Sequence, residues 1–517
     1  MSFRLVRTFI AACFMFAFCA FAQVAAPDFS IVALPDTQYY SQSYPQIFTA
    51  QTQWIAQNRT NYNIQFVIGE GDIVNIAETS QWQNADAAIR VLDNAQIPYV
   101  LAIGNHDYDG EAPGSRMATG FNSFFGPARY ATYAWYKGNY PTGSNENFYA
   151  VVSVNGKSYL ILALEFMPRD ATLTWAQSVL AANLDKEVIV VTHSYMWIDG
   201  TRVDQCNNND LPSKGNNQGE AVWRNLLNQY ANVSLVLSGH FTSGNASHRS
   251  DLGLSQNLVN QIFANYQNLS HGGNGWMRIM TFHPATNLID VVTYSPYLNQ
   301  YKTDSANQFT IAWHNQGLPA SSPGTISGVI RAGHSTSSPC AFIGGASITA
   351  GGISTTSASN GTFSLQLPSG NYNVAATASG WGSSSEEEGA YPGYPTSTKF
   401  FMQKGGSSSS ASTTSSTGTT SGSVTDSCTA TTANRTVTIC SPVNNATLSS
   451  PVTVLAQASD SAPVTYSQIY VDGVKAYQIA GASVNTSLTL ASGAHRITVQ
   501  SADSAGTFKT TINLIVN

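Results

Sequence analysis

At 517 residues the chain is too long for one domain and has room for about three. Only 10% of its residues are charged, against an ordinary ~25%. A net charge of -6 with no basic run leaves no electrostatic footprint for nucleic acid.

In chain order, the first feature is an export signal. Arg4 and Arg7 precede an apolar run from Phe9 to Phe21, and Ala20-Phe21-Ala22 offers a small-x-small cleavage site before Gln23. The run is short of the ~20 residues of a spanning helix, and bulky Phe18 argues against a lipid on Cys19. We therefore expect residues 1–22 to be removed, no membrane span thereafter, and a secreted, cell-surface or periplasmic location. Cys13 and Cys19 leave with the signal. Cys206, Cys340, Cys428 and Cys440 remain, and four cysteines allow three pairings. Cys428 with Cys440 is the simplest local pair, while Cys206 and Cys340 stay open between bonded and free.

From residue 28 to about 315 the chain alternates apolar, β-rich runs with helical periodicity. Strands are predicted at Phe29–Leu34, Ile64–Ile68, Pro98–Ile103, Glu187–Thr192 and Val233–Ser238. Helices are predicted at Tyr44–Asn58, Ser80–Ala95, Ala171–Leu184 and Gln218–Tyr230. The alternation implies an α/β layered domain, in which ligands collect outside the carboxyl ends of the strands.

Five short motifs sit at those ends: Asp36-Thr37-Gln38, Gly71-Asp72-Ile73-Val74-Asn75, Gly104-Asn105-His106-Asp107, Thr192-His193, and Ser238-Gly239-His240-Phe241-Thr242. Singly, each reads as a turn or a packed histidine. As an ordered series at one sheet edge they point to a shared metal site. Two metals about 3.5–4 Å apart can neutralise phosphoryl oxygens and generate a nucleophile, and carboxylates with imidazoles suit Mn, Fe or Zn. Glycine beside Asp72, Asn105 and His240 lets the backbone approach closely. Tyr39, Tyr40, Tyr108, Trp197 and Tyr266 lie near the motifs, as packing or as surfaces for an organic group.

Residues 29 to about 245 resemble the calcineurin-like metallophosphoesterases, whose motif order is Asp-x-His, Gly-Asp, Gly-Asn-His-Asp/Glu, His and Gly-His-x-His. The resemblance implies a four-layer α/β/β/α domain and a phosphate-ester substrate, cleaved by metal-activated water. It implies that Asp72 bridges two divalent ions, that Asn105, His193 and His240 complete one metal site, and that Asp36 serves the other. It implies that His106 protonates the leaving oxygen and that Asp107 orients His106. Gln38 and Thr242 stand where the family has histidines. The first site thus keeps mostly oxygen donors, and the two ions should bind with unequal affinity. His248 or His271 could complete that site. Pro35–Tyr40, Ala264–Gln267, Gly272–Trp276 and Thr293–Pro296 resemble a bacterial subgroup that carries Gln at this position. Asn265 and Gln267 either face the site or end a strand with satisfied polar groups. The competing reading of Gln38 and Thr242 is a non-catalytic or adhesive binding protein on a phosphoesterase scaffold.

Beyond residue 323 the helical period disappears. Residues 323–403, with a strand–turn–strand around Asn360-Gly361, resemble the carboxypeptidase regulatory-like β-sandwich. Residues 404–426 are a Ser/Thr/Gly linker. Residues 428–517 resemble a bacterial immunoglobulin-like sandwich. Neither β-domain carries a cluster of acids, His or Cys that would do chemistry. Their expected role is cell-surface or carbohydrate contact, by analogy alone.

Overall fold

The computed structural model describes residues 26–516, apart from 113, 208–215, 243–245, 316–321, 334–339, 405–427, 429–434, 445 and 504–505. The expected export signal and nearly all of the expected linker lie outside the described residues.

Two seven-stranded sheets carry the first part of the chain. In the first, β1 (Phe29–Leu34), β2 (Ile64–Gly69) and β3 (Tyr99–Leu101) run parallel. Antiparallel β11 (Met277–His283), β12 (Leu288–Ser295), β13 (Gln300–Lys302) and β14 (Gln308–Ala312) extend it from the other side of β1. The second sheet is ordered β4 (Tyr136–Tyr140), β5 (Asn147–Val154), β6 (Lys157–Leu164), β7 (Glu187–Thr192), β8 (Val233–Ser238), β10 (Leu258–Ala264), β9 (Ala246–Leu252). Its central strands β6, β7, β8 and β10 are parallel.

The central strands are buried on both faces, as continuous Val/Ile/Leu runs require. One core lies between the sheets, where Ile31, Phe66 and Met280 meet Ile161, Ile189 and Leu237. The outer face of the first sheet packs on helices Pro45–Asn58 and Thr79–Asn94 through Ile47, Ile55, Trp82 and Ile89. The outer face of the second packs on helices Asp170–Ala181 and Gly219–Asn225 through Leu173, Leu180 and Val222. The layers are therefore α/β/β/α. The helix expected over Gln218–Tyr230 breaks at Leu226, which leaves helical geometry (φ -136, ψ -67), and resumes as a short 3-10 turn at Leu227–Gln229.

The remaining chain is all-β. Strands between Gly324 and Met402 build three- and four-stranded sheets around Ile326, Ile348, Leu365, Val374 and Phe400. Strands between Thr436 and Val516 build three- and five-stranded sheets around Val454, Ile469, Val484 and Val499. The Asn360-Gly361 turn forms, with Gly361 at φ 75. The strands it joins, Ile353–Thr356 and Thr362–Leu367, belong to different sheets, so the turn is a corner between layers and not a hairpin.

Both disulfides form, Cys428–Cys440 locally and Cys206–Cys340 across 134 residues of sequence. The second bond ties the loop after β7 to the middle β-unit. Arg224 pairs with Glu386 at 2.9 Å, and Lys399 pairs with Asp204 across the same interface. Asn371 Nδ2 and the Tyr391 hydroxyl both donate to the carbonyl of Leu254, in the turn between β9 and β10. Among the described residues, no helix is long and apolar enough to cross a membrane.

Candidate metal centre

The carboxyl ends of β1, β2, β7 and β8, with the short helical turn Asn105–Asp107 that follows β3, converge on one edge between the sheets. Asp36, Asp72 and His240 all adopt positive φ, at 21°, 48° and 78°. Non-glycine residues rarely take such angles, and where they do, the surrounding structure holds them there. Three glycines make the approach possible. A Cβ on Gly239 would sit 2.1 Å from Asp36 Oδ2, one on Gly104 would sit 2.1 Å from Asp72 Oδ1, and one on Gly71 would sit 2.5 Å from His193 Nδ1. Gly71 also needs its φ of 103°.

Backbone donors then fix the carboxylates. The His240 N–H donates to Asp36 Oδ1 at 3.1 Å, and the His106 N–H donates to Asp72 Oδ1 at 3.1 Å. His193 Nδ1 lies 2.8 Å from the Glu70 carbonyl, which can only accept, so Nδ1 carries the proton. His193 Nε2 is thereby turned to the site, 3.1 Å from Asp72 Oδ2 and 3.8 Å from Asp36 Oδ1. The rings of His193 and His240 lie 4.9 Å apart at their centroids, and Phe166 packs on both. Asp72, His193 and His240 each offer a ligand atom within 4.8 Å of the others.

The electrostatics call for cations. Burial drives Asp36 and Glu70 far above the usual carboxylate range. Burial, with Asp72 beside it, pushes Asp107 up to about 8. Burial would raise Asp72 too, but His193, with His106 and His240, holds Asp72 below its ordinary value. His193, lowered by burial, is carried up to about 10 by Asp72 and Asp36. Gln38 Oε1 and Asn105 Oδ1 are buried with no hydrogen-bond partner, and His193 Nε2 has only the Asp72 and Asp36 carboxylates before it. Orphaned buried acceptors are costly, and a carbonyl oxygen, an amide oxygen and an imidazole nitrogen around buried carboxylates are a donor set that divalent metals satisfy.

Residues 29–242 match the family model described as calcineurin-like phosphoesterase, and residues 436–499 match that described as bacterial Ig domain. The chain carries a calcineurin-like phosphoesterase domain. A Bacillus subtilis (strain 168) relative, described as uncharacterized protein YvnB, is 36% identical over 287 residues, covering 54% of this chain and 21% of the relative. The chain thus spans about a fifth of that relative's length. Among solved structures, the purple acid phosphatase PPD1 from yellow lupin (Lupinus luteus) seeds aligns at a TM-score of 0.36 and 15% identity, covering 56% of this chain and 54% of that one. GAP50, the anchor in the inner membrane complex of Plasmodium, aligns at 0.31 and 12%, covering 56% and 90%.

Within the phosphoesterase domain the eight residues singled out from the sequence gather, but two relationships differ from expectation. Asp107 does not orient the His106 ring. Its carboxylate accepts three backbone N–H groups, from Ile73 at 2.8 Å, Val74 at 3.0 Å and Gly104 at 2.8 Å, and so clamps the two metal-site loops together. The His106 ring is set by Asn75, whose carbonyl lies 2.9 Å from Nδ1. Asn75 Oδ1 also accepts from Gln38 Nε2 at 3.3 Å, leaving Gln38 Oε1 for the site. Asn75 stood inside a quoted motif, yet its double role depends on backbone geometry that no residue pattern announces.

His248 stacks on Phe309, and His271 is exposed against Tyr44 and Tyr297, so neither is placed as a partner of Asp36 or Gln38. Asn265 and Gln267 are not satisfied strand-end groups. The Asn265 Oδ1 accepts from the Gln267 N–H, but Asn265 Nδ2 and Gln267 Oε1 are buried without partners. Tyr40, Tyr108 and Tyr266 are core residues. Tyr40 receives the Gly275 N–H at 2.9 Å, and a Cβ on Gly272 would meet Tyr39 at 2.5 Å, so the glycine-rich turn packs directly on the residues that follow Gln38.

Proposed function

We propose that the protein is a secreted, metal-dependent phosphoesterase that hydrolyses phosphomonoester or phosphodiester bonds. The observation that carries this reading is the double engagement of Asp72. One oxygen faces the ligand nitrogen of His193 and the other receives the backbone N–H of His106, so the ion-binding cluster and the proton donor share one rigid carboxylate. Asp72, Asn105, His193 and His240 would hold one divalent ion, and Asp36, Asp72 and Gln38 the other. When bound, such ions supply positive charge to the phosphoryl oxygens and a water acidic enough to attack near neutral pH.

The chain's own part is positioning and proton transfer. Because His106 Nδ1 donates to Asn75, only the doubly protonated ring offers Nε2–H, and that proton would pass to the leaving oxygen. Asp107 holds the loops that carry both groups in register. The site of Asp36 and Gln38, built of oxygen donors, should hold its ion more weakly and prefer Mn or Mg to Zn. The domain limits 28–315, 323–403 and 428–517, the carboxypeptidase regulatory-like character of the middle unit and a cell-surface role for the tail belong to the same proposal.

The test is turnover of aryl phosphate mono- and diesters by the metal-reconstituted protein, with a chelator control. Chelator-sensitive hydrolysis that rises with added Mn²⁺ supports the reading. Two bound ions with no turnover would instead favour the binding-protein reading suggested by Gln38 and Thr242.

A further inference from the structure

One charged side chain stands in the mouth of the site with no part in the mechanism above. Glu111 Oε1 lies 3.6 Å from His106 Nε2, the atom assigned to protonate the leaving oxygen, and 3.4 Å from Asn105 Nδ2, which donates to it. The Glu111 side chain is 58% exposed and that of His106 26%, so the carboxylate faces the solvent through which a substrate arrives. Its placement is fixed by the backbone. Glu111 takes φ 60 after Gly110 at φ 99, a conformation that costs a non-glycine residue energy and is kept where surrounding structure imposes it. The Glu111 N–H donates to the Tyr108 carbonyl at 3.1 Å, the Ala112 N–H to the Asn105 carbonyl at 2.9 Å, and the Ser115 N–H to the Glu111 carbonyl at 3.0 Å. The loop is thereby folded back over the metal-site turn.

The ion-pair partner of Glu111 among the described residues is His106 itself, and a Glu111→Gln change removes the carboxylate charge from that pair. Among the described residues, no lysine or arginine forms an ion pair with Glu111, Asp36, Asp72 or Asp107. Arg116, on the same loop, directs its Nη donors to the carbonyls of Phe166 and Met167 and to the Tyr108 hydroxyl. A leaving oxygen within hydrogen-bonding reach of His106 Nε2, roughly 3 Å, brings the phosphoryl group to within roughly 8 Å of the Glu111 carboxylate.

We propose that Glu111 makes the site select singly charged phosphodiesters over doubly charged phosphomonoesters, a conclusion that rests on the phosphoesterase reading. In the reaction, the water oxygen–phosphorus bond forms and the phosphorus–leaving-oxygen bond breaks. The His106 Nε2 proton goes to the leaving oxygen, and a water proton goes to solvent. The product of a diester is a monoester, which is a dianion above its second pKa of about 6. The same carboxylate that admits the substrate disfavours the product, so the second ester bond is cleaved more slowly than the first. An extra unit charge at this distance, in the partly screened dielectric of a site mouth, is worth about tenfold.

The experiment uses the full chain reconstituted with Mn²⁺ at pH 8, as wild type and Glu111→Gln, on bis(4-nitrophenyl) phosphate and 4-nitrophenyl phosphate. The wild type should favour the diester in kcat/KM and release the first nitrophenol of a diester faster than the second. In Glu111→Gln the diester-to-monoester ratio should fall about tenfold. Raising the salt should shrink the wild-type ratio and leave that of the variant nearly flat, because screening acts on the charge alone. Inorganic phosphate, titrated calorimetrically, should bind the variant about tenfold more tightly. A wild type that prefers the monoester, or a ratio and phosphate affinity unmoved by Glu111→Gln, overturns the proposal. Hydrolysis of neither ester overturns the phosphoesterase reading itself, and this proposal with it.

Discussion

His106 Nδ1 lies 2.9 Å from the carbonyl oxygen of Asn75, and this one contact decides which ring nitrogen faces the substrate. His106→Ala should lower turnover by about 10²–10⁴-fold, the scale of a positioned proton donor. The metal content should not change, since no ligand is removed. Elemental analysis beside steady-state kinetics checks both halves. A variant as fast as wild type would remove His106 from the mechanism.

The opposite pattern is expected of His193. Its Nε2 faces Asp72 and Asp36 from a fully buried position. His193→Ala should empty the tighter site and abolish turnover, while the wild type as purified keeps one ion and loses the other. Two equally tight ions in the wild type, titrated against a competing chelator, would contradict the asymmetry drawn from Gln38 and Thr242.

Metal uptake should also be proton-coupled. His193 is carried up to about 10 by Asp72 and Asp36, after burial has opposed the rise. At pH 7–8 it must therefore release a proton before Nε2 can ligate. Calorimetric titration with metal in buffers of different ionisation enthalpy should report at least one proton released per tight ion. Affinity should weaken as the pH falls. Uptake with no proton release would show that His193 is not a ligand.

Stability should carry a separate acid limb, set far from the metals. Glu187, at the start of β7, is raised by burial but lowered more by His314 and Lys157, ending at about 2 against an ordinary 4.5. It also accepts from Ser234 and Trp313. A depressed carboxylate contributes stability above its unfolded value and loses it as the pH falls through the folded one. The contribution, about 3 kcal/mol, should thus be present above pH ~4.5 and fade toward pH ~2. Glu187→Gln should destabilise the domain at pH 7 and flatten the decline below pH 4.5, as read by denaturant melts across pH.

The two β-units should separate in a truncation series. Removing residues 404–517 should leave hydrolysis unchanged. Removing residues 323–517 also takes away Cys340 and the partners of Arg224 and Asp204. A crosslink spanning 134 residues is worth up to about 5 kcal/mol by chain entropy, so the shorter protein should melt markedly lower. Equal melting of the two truncations would mean that the middle unit adds nothing to the phosphoesterase domain.

Much of this was legible in the sequence wherever one local pattern decided the structure. The strands Phe29–Leu34, Glu187–Thr192 and Val233–Ser238 are where their unbroken apolar runs place them, because a strand buried on both faces admits little else. The layered fold followed from the alternation of such runs with helices. Of the β4–β5–β6 meander, Tyr136–Tyr140 is a half-buried edge strand with no clear alternation, whereas Lys157–Leu164 is a buried apolar run as legible as the others and goes unpredicted. Asp107 was given the wrong partner because its motif fixes a neighbour in sequence, whereas its hydrogen bonds run to Ile73 and Val74, more than 30 residues away. Glu111 carries no motif at all. Its position follows from a left-handed backbone five residues past His106, and a single sequence shows nothing of that.

The middle unit docks on Leu254 at the end of a strand remote from the metal centre. Leu254 lies in the turn before β10, and Ala264, at the other end of that strand, abuts Gly239 beside Asp36. Seven residues of strand separate the two ends by about 20 Å. The middle unit thus braces two places at once, the remote end of β10 through Leu254 and the loop that follows β7 through Cys206 and Asp204.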